Sequence, residues 1–182
     1  MTDSHPEPVS IRRAGTGDIP VIRSLADVCF RDTYRTILSP EQTDYMMDWM
    51  YSEESLHRQM ERDGHVYFLA ECDGRPCAYC SVQPLGLQDD GMQLFELQKV
   101  YVLPECKGKG IGSRLVDHVF RFVREKAGGT PCRVELHVNR YNPAVAFHRR
   151  MGFSILREGD FPIGHGYFMN DYIMGITLRD AI

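Results

Sequence analysis

Apolar residues recur at every third position near the start of the chain, and this spacing predicts a helix with one face toward a core. The stripe consists of Ile19, Ile22, Leu25 and Val28. Residues 10–14, which precede it, have the composition of an opening strand. A second helix is predicted to begin at Ser39, because Pro40 and Gln42 complete a capping-box pattern. Ser52 is predicted to cap a third helix.

The pattern changes after residue 64, where runs of aromatic and β-branched residues are separated by turn signals. These runs predict three successive antiparallel strands within residues 65–71, 75–85 and 94–104. A helix is predicted at residues 112–129, because apolar positions share one face and two glycines end it. The remaining segments predict a strand, a short helix and two closing strands, at 132–138, 142–153, 154–161 and 172–178. This order is typical of an α/β (α+β) fold, a mixed sheet flanked by helices.

Composition predicts one globular domain over residues 1–182, with residues 1–9 flexible: 43% of the residues are hydrophobic and 25% are charged. The formal net charge of -4 gives no drive toward nucleic acid or an anionic membrane. No apolar run approaches the roughly 20 residues of a membrane span. The N-terminus lacks the basic and apolar regions of a signal peptide, so we expect a cytoplasmic protein.

Cys72, Cys77 and Cys80 have the C-x4-C-x2-C spacing of a plant-type iron–sulfur loop. They fall in two predicted strands joined at Asp73 and Gly74, where Cys77 and Cys80 would point to opposite faces of the sheet. We therefore interpret these cysteines as structural thiols. The seven histidines show no H-x-x-x-H or H-E-x-x-H spacing, so the sequence predicts no metal site.

Three glycines, Gly108, Gly110 and Gly112, lie between a predicted strand and a predicted helix. Backbone N–H groups at the start of a helix attract anions, and glycine lets an anionic oxygen approach the chain closely. The segment therefore predicts a phosphate cradle, to which Lys107 and Lys109 add positive charge. Its spelling differs from the Walker loop and from the dinucleotide-binding G-x-G-x-x-G pattern.

The glycine segment resembles the acyl-CoA loop of the GCN5-related N-acetyltransferases (GNAT), written R/Q-x-x-G-x-G/A. Residues 107–112 match its spacing, with lysine in the place of arginine or glutamine. Residues 96–105 are similar to that family's fourth strand. A later family motif is matched at Asn142, Ala144, Phe147, Gly152 and Phe153. The resemblance covers residues 11–178. It implies the GNAT fold, a mostly antiparallel sheet of six to seven strands, and acetyl-CoA as co-substrate.

Residues 10–35 and 167–178 resemble, more finely, bacterial spermidine/spermine acetyltransferases of the PaiA type. This resemblance implies a polyamine acceptor, although another small amine is an equal alternative because fold and loop do not set the substrate. A protein α-amine or lysine is a second acceptor class, and a CoA-binding regulator without catalysis is a third hypothesis. A local basic patch is formed by Arg149 and Arg150 with Lys107 and Lys109. A patch of this size in a net acidic chain disfavours nucleic acid as a binding partner. Exposed edge strands would allow a homodimer.

The resemblance implies roles for main-chain groups around the cofactor. The N–H groups expected to hold the pyrophosphate are those of Gly108, Lys109, Gly110, Gly112 and Ser113. Val100 and Val102 would offer main-chain groups to the pantetheine arm and an N–H to the tetrahedral oxygen. Asn142 would contact the same arm and could also cap the following helix. In the implied mechanism, a neutral amine attacks the thioester directly in a ternary complex.

Glu96 is the first candidate for the base, because a two-residue period puts it on the side of the strand that carries Val100 and Val102. It could act through water, attract the ammonium, or be a solvated charge. The family most often has tyrosine where this chain has His148, and Tyr141 lies seven residues upstream. His148 could protonate the departing thiolate or only pack against CoA, and the thiolate could also leave unprotonated.

Tyr34, Glu96 and Asp171 are the candidates for the acceptor end. Five further acidic residues could together form an acidic mouth for a polycation, or could be a solvated face. They are Asp44, Glu53, Glu54, Asp89 and Asp90.

Overall fold

The computed structural model describes residues 9–179. Of the segment 1–9 that the sequence predicts to be flexible, residues 1–8 lie outside the described part. The strands are β1 (Val9–Arg13), β2 (Val66–Cys72), β3 (Arg75–Leu87), β4 (Gln93–Val102), β5 (Cys132–Asn139), β6 (Ser154–Gly164) and β7 (Tyr167–Leu178). The helices are α1 (Ile19–Tyr34), α2 (Pro40–Tyr51), α3 (Glu53–Glu61), α4 (Ile111–Lys126) and α5 (Ala144–Arg150).

The seven described strands form one mixed sheet in the order β1-β2-β3-β4-β5-β7-β6. β4 and β5 run parallel, while the other neighbouring pairs in this order run antiparallel. The predicted mixed and mostly antiparallel sheet is therefore confirmed. Within residues 9–179, no helix combines the length and the apolar composition that crossing a membrane requires.

Helices cover both faces of the sheet. The buried side chains that α4 contributes to the core on its face are Ile111, Leu115, Val116, Val119, Phe120 and Val123. α1, α2 and α3 cover the opposite face, where Phe30, Tyr51 and Leu56 are almost completely buried. Each large apolar side chain buried in this way contributes about 1.5–3 kcal/mol. The two cores hold the strands in place around the site described below.

The apolar stripe of α1 differs from the predicted one at its end. Val28 is 47% exposed, whereas Ala26, Cys29 and Phe30 are buried. A strict spacing of three drifts around a helix that repeats every 3.6 residues, so the fourth predicted position turns toward solvent.

The caps of α2 and α3 form largely as predicted. The Ser39 Oγ accepts a hydrogen bond of 3.1 Å from the Gln42 backbone N–H, and Ser52 caps α3 in the same way. The predicted reciprocal half of the capping box at Ser39 is wrong. The Gln42 side-chain amide instead donates to the Phe168 carbonyl at 3.0 Å, because β7 lies close enough to compete for it.

Two of the bulges in the described sheet change strand faces near the site that a simple alternation predicts. One lies on β3: Ala78 pairs with Ala70 and Pro76 pairs with Glu71, which leaves Cys77 as an extra residue. As a result, Cys77 and Cys80 both join the core that α4 covers, and the prediction that they point to opposite faces is wrong. No metal-binding group of side chains is found among residues 9–179.

Candidate active site

A cleft opens where β4 and β5 separate. Residues 93–96 pair with residues 132–135, and the ladder ends there. Beyond that point the strands bound a cavity of about 680 Å³, lined by residues 97–102 of β4 and 136–138 of β5. Main-chain groups that lack a partner strand on this side are available to an extended ligand arm.

The glycine segment closes one end of this cavity. Gly108 and Gly110 have φ angles of +78° and +76°, the left-handed region in which residues with a Cβ are strained. Gly110 caps α4 without a side-chain hydrogen bond, and Gly112 and Ser113 of the first turn also line the cavity. The first N–H groups of α4 therefore face the cavity at the positive end of a 16-residue helix. This arrangement suits an anion.

Gly112 has a different role from the two glycines before it. A Cβ at this position would lie 3.3 Å from the Phe147 ring and 3.7 Å from the Val102 side chain. The absence of a side chain thus lets α4 pack closely against α5 and β4. It sets how close the N-terminus of α4 lies to the cleft.

Lys107 and Asp32 meet at the rim of the cavity. The Lys107 Nζ lies 3.3 Å from the Asp32 Oδ2, and both residues contribute to the lining. The exposed pair contributes little to stability. Pyrophosphate binding by Lys107 and Lys109 stays a prediction.

The second bulge moves Glu96 away from its predicted face. Ser81 pairs with Lys99 and Val82 pairs with Leu97, so Gln98 is an extra residue on β4. Val100 and Val102 pack against the core under α4, as Leu97 does. Glu96 lies on the other face, and the predicted shared side of Glu96, Val100 and Val102 is wrong.

Glu96 instead lies near His137 of β5 and Asp171 of β7. The His137 Nε2 is 3.8 Å from the Glu96 Oε1, and its Nδ1 is 3.8 Å from the Asp171 Oδ2. These distances are too long for good hydrogen bonds but short enough for strong charge interaction. Asp171 and, after it, Glu96 raise the pKa of His137, while burial raises the pKa of Glu96.

His137 belongs to the lining of the cavity, whereas Glu96 and Asp171 do not. Sequence reasoning missed His137, since one histidine on a strand carries no motif. The alternation of β5 was the available signal, because Val134, Leu136 and Val138 are buried and His137 must face the other way.

His148 is buried on α5 beside the cavity. Its ring lies 5.2 Å from that of Phe147 and 5.8 Å from that of Phe153, and its Nδ1 has no hydrogen-bond partner within the described residues. Burial lowers the pKa of His148 to about 4. The side chain is therefore neutral near pH 7 and holds no imidazolium proton to donate.

Asn142 and Tyr34 meet at the cavity wall. The Asn142 Oδ1 accepts from the Ala144 backbone N–H at 2.9 Å, although the N-cap position of α5 is occupied by Pro143. The buried Tyr34 hydroxyl contacts the side chains of Tyr101 and Asn142, and burial raises its pKa. Tyr141, by contrast, is 72% exposed at the cavity mouth.

The predicted acidic mouth does not form. Asp44 is paired with Arg31 at 2.6 Å, and Asp90 is paired with Arg133 at 2.8 Å. None of the five residues proposed for this mouth belongs to the cavity lining of the described chain. They sit on α2, on α3 and in the β3–β4 turn, at separate places on the surface.

One of the residues that line the cavity is a buried lysine. The Lys99 Nζ donates to the Gln59 Oε1 at 3.0 Å and lies 5.7 Å and 5.5 Å from the ring centres of Tyr51 and Tyr67. Burial lowers the pKa of Lys99 to about 7. No motif or spacing in the sequence singles out this residue.

Known proteins share both the sequence pattern and the fold. The profile of the Acetyltransferase (GNAT) family matches residues 22–153. An uncharacterized N-acetyltransferase of Methanocaldococcus jannaschii is 26% identical over 96 residues, which are 52% of this chain and 41% of that protein. The uncharacterized N-acetyltransferase YjgM of Escherichia coli is 29% identical over 112 residues, 61% of this chain and 62% of that protein. The matched stretch is thus less than two thirds of either relative.

A solved structure shares the architecture. The PaiA N-acetyltransferase from Thermoplasma acidophilum, crystallised in complex with coenzyme A, superimposes with a TM-score of 0.71 at 23% identity. The match covers 92% of this chain and 98% of that one. At this identity the likeness concerns the fold.

Proposed function

The chain belongs to the GNAT acetyltransferase family, and on that basis we propose that it transfers an acetyl group from acetyl-CoA to a small primary amine, with polyamines favoured. One observation carries the proposal. The cleft between β4 and β5 is continuous with the helix end formed by Gly110, Gly112 and Ser113. An extended thiol arm and a pyrophosphate need these two features in this order.

Acetyl-CoA is the proposed co-substrate. The N–H groups of residues 108–113 would hold the pyrophosphate, and the main chain at Val100 and Val102 would hold the pantetheine arm. The complex of the Thermoplasma relative with coenzyme A supports this assignment. Asn142 lies on the same wall of the cavity and would contact the arm.

In the proposed reaction the neutral amine attacks the thioester carbonyl directly, in a ternary complex. A C–N bond forms, the C–S bond breaks, and the electron pair of the C–S bond goes to sulfur. The Val100 N–H would stabilise the tetrahedral oxygen. Because His148 is neutral near pH 7, we propose that the thiolate takes up the proton that leaves the amine nitrogen, rather than a proton from an imidazolium.

Two features support a small cationic acceptor. The carboxylates of Glu96 and Asp171 lie next to the cavity and would attract an ammonium group. The β6–β7 hairpin also reaches α2, where the Tyr45 hydroxyl donates to the Ile163 carbonyl at 2.6 Å. We propose that this contact restricts the acceptor end, which would disfavour a long peptide. The buried thiols of Cys77 and Cys80 fit a reducing compartment, and we propose the cytoplasm.

Free-thiol release from acetyl-CoA tests this function. The protein is assayed with spermidine, spermine, simple monoamines, free amino acids and a peptide with a free α-amine. Glu96→Gln is assayed beside Glu61→Gln, a matched control on the exposed side of α3. We expect turnover on polyamines that falls with Glu96→Gln alone. Turnover on the peptide only would overturn the small-amine assignment, and acetyl-CoA binding without turnover on any acceptor would overturn the transferase activity.

A further inference from the structure

His137 is the titratable side chain that stands between the cavity and two carboxylates. It projects from β5, beside the point at which the β4–β5 ladder ends. Its side chain is 40% exposed, whereas those of Glu96 and Asp171 are 22% and 8% exposed. A ligand in the cavity therefore meets the imidazole before it meets either carboxylate.

Asp171 is a buried carboxylate beside His137. It is 6% exposed, and its Oδ1 has no hydrogen-bond partner among residues 9–179. A buried carboxylate oxygen is costly to leave unsatisfied. Its other oxygen faces the Nδ1 of His137 at 3.8 Å, and Glu96 faces the Nε2 at the same distance. Asp171 is the more buried carboxylate and acts more strongly on the ring, so it favours the tautomer with hydrogen on Nδ1. The lone pair is then on Nε2.

We propose that the Nε2 of His137 takes the proton from the acceptor's ammonium group, with Glu96 and Asp171 as positioning residues. This inference rests on the proposed acetyl transfer. It assigns the role of base to His137 instead of Glu96. The Glu96 Oε1 lies 3.8 Å from Nε2, so the imidazolium that forms lies between the carboxylates of Glu96 and Asp171. Their attraction stabilises the protonated ring.

The proton balance is complete. The ammonium gives one proton to His137 and becomes a neutral amine, which attacks the thioester carbon. The C–N bond forms, the C–S bond breaks, and the nitrogen's second proton goes to the CoA thiolate. His137 then releases its proton to solvent. The net change converts an ammonium and acetyl-CoA into an amide, free CoA thiol and one proton.

The groups around His137 determine how its activity responds to pH. Glu96 faces it from β4 and Asp171 from β7, while Arg157 of β6 acts in the opposite direction. The Phe161 ring of β6 packs against it at 5.2 Å between ring centres. Because the base must be deprotonated, activity should rise with pH through the raised pKa of His137. Removing the negative charge of Asp171 should shift that rise to lower pH.

The experiment compares the pH dependence of kcat/KM for the wild-type protein, His137→Asn and Asp171→Asn, with acetyl-CoA binding measured in each. His57→Asn is the control, because His57 is equally exposed and also lies 3.6 Å from a carboxylate, that of Glu61. We expect His137→Asn to lower kcat by about 100-fold or more while the acetyl-CoA Kd is unchanged. Asp171→Asn should retain turnover with its acidic limb displaced to lower pH, and His57→Asn should match the wild type.

Two results separate this inference from the proposed function. In the first, the wild-type protein acetylates an amine and the kcat of His137→Asn stays within about threefold of the wild-type value. This result would overturn the role of His137 and leave the proposed acetyl transfer intact. An unmoved acidic limb in Asp171→Asn would do the same. A wild-type protein that acetylates no amine would overturn the proposed function and the inference together.

Discussion

Lys99 and Gln59 join the centre of the sheet to α3 through a hydrogen bond of 3.0 Å. The Gln59 amide is held in turn by the Met50 carbonyl and the Ser55 hydroxyl, so its oxygen faces Lys99. The same oxygen accepts from the Tyr67 hydroxyl at 2.6 Å. Lys99 is thus a buried amine hydrogen-bonded to a neutral amide, and burial lowers its pKa to about 7 although the carboxylate of Glu96 acts in the opposite direction.

We expect Lys99→Met to raise the free energy of unfolding near pH 6 and to lose this advantage by about pH 10. The unfolded chain keeps the lysine protonated up to its ordinary pKa, whereas the folded protein releases the proton near neutrality. Wild-type stability therefore rises with pH across that window, by an amount on the order of 4 kcal/mol, while the variant has no such dependence.

Urea unfolding of both proteins at several pH values measures the difference. Lys126→Met is the control, since Lys126 also lies over an aromatic ring, that of Phe122 at 5.8 Å, but is exposed. A wild-type minus Lys99→Met difference that stays constant from pH 6 to 10 would contradict the lowered pKa.

Gly110→Ala should weaken acetyl-CoA binding by about tenfold or more. The left-handed φ of +76° strains alanine by roughly 1–2 kcal/mol, and the relaxed backbone would turn N–H groups away from the pyrophosphate. Gly128→Ala is the matched control, because its φ is +62° and the space around it is also open. Calorimetric titration with acetyl-CoA should separate the two variants, although both lose similar stability. Equal affinities would exclude the glycine segment from the pyrophosphate site.

His148→Phe should retain turnover within about threefold, because a neutral and buried imidazole supplies no catalytic proton. The stability of the wild type relative to this variant should also depend on pH. The folded pKa of about 4 lies below the ordinary value of 6.5, so the wild type loses stability relative to the variant as pH falls from 6.5 toward 4. Steady-state kinetics and thermal unfolding beside His57→Phe, a substitution at an exposed histidine, check both points. A 100-fold fall in kcat confined to His148→Phe would restore the histidine as the acid.

Local signals explain which parts of the fold the sequence could predict. The glycine segment and the start of α4 follow from neighbouring residues, as do the caps at Ser39 and Ser52. The two bulges could not be predicted, because Cys77 and Gln98 become extra residues only through pairing with other strands. One extra residue reverses every face assignment that crosses it.

The candidate site shows the same limit. Glu96 could be singled out from the family's fourth strand, but its face could not. Its neighbours His137 and Asp171 come from β5 and β7, and only the strand order brings the three together. The β6–β7 hairpin also extends further than predicted, to Gly164 and Tyr167, since its tip packs on α2 rather than standing alone in solvent.

Tyr45→Phe should raise the KM for a small amine by roughly 3–10-fold while leaving the acetyl-CoA Kd unchanged. The Tyr45 hydroxyl donates to the Ile163 carbonyl at 2.6 Å, and Ile163 shares a hydrophobic cluster with Ile37, which lines the cavity. Losing the donor leaves that carbonyl unsatisfied and loosens the hairpin against α2. The acceptor end then opens, so a small amine makes fewer contacts.

The control for the hairpin contact is Tyr167→Phe. Tyr167 packs against Tyr45 with ring centres 5.5 Å apart, and its substitution removes a hydroxyl without touching the Ile163 hydrogen bond. Steady-state kinetics with a short monoamine, spermine and a peptide should show Tyr45→Phe losing affinity most for the shortest acceptor. Equal KM values for Tyr45→Phe and Tyr167→Phe would show that the hairpin does not restrict the acceptor. Equal kcat/KM values for the peptide with the wild type and with Tyr45→Phe would show the same. The size of the acceptor would then be limited elsewhere in the cleft.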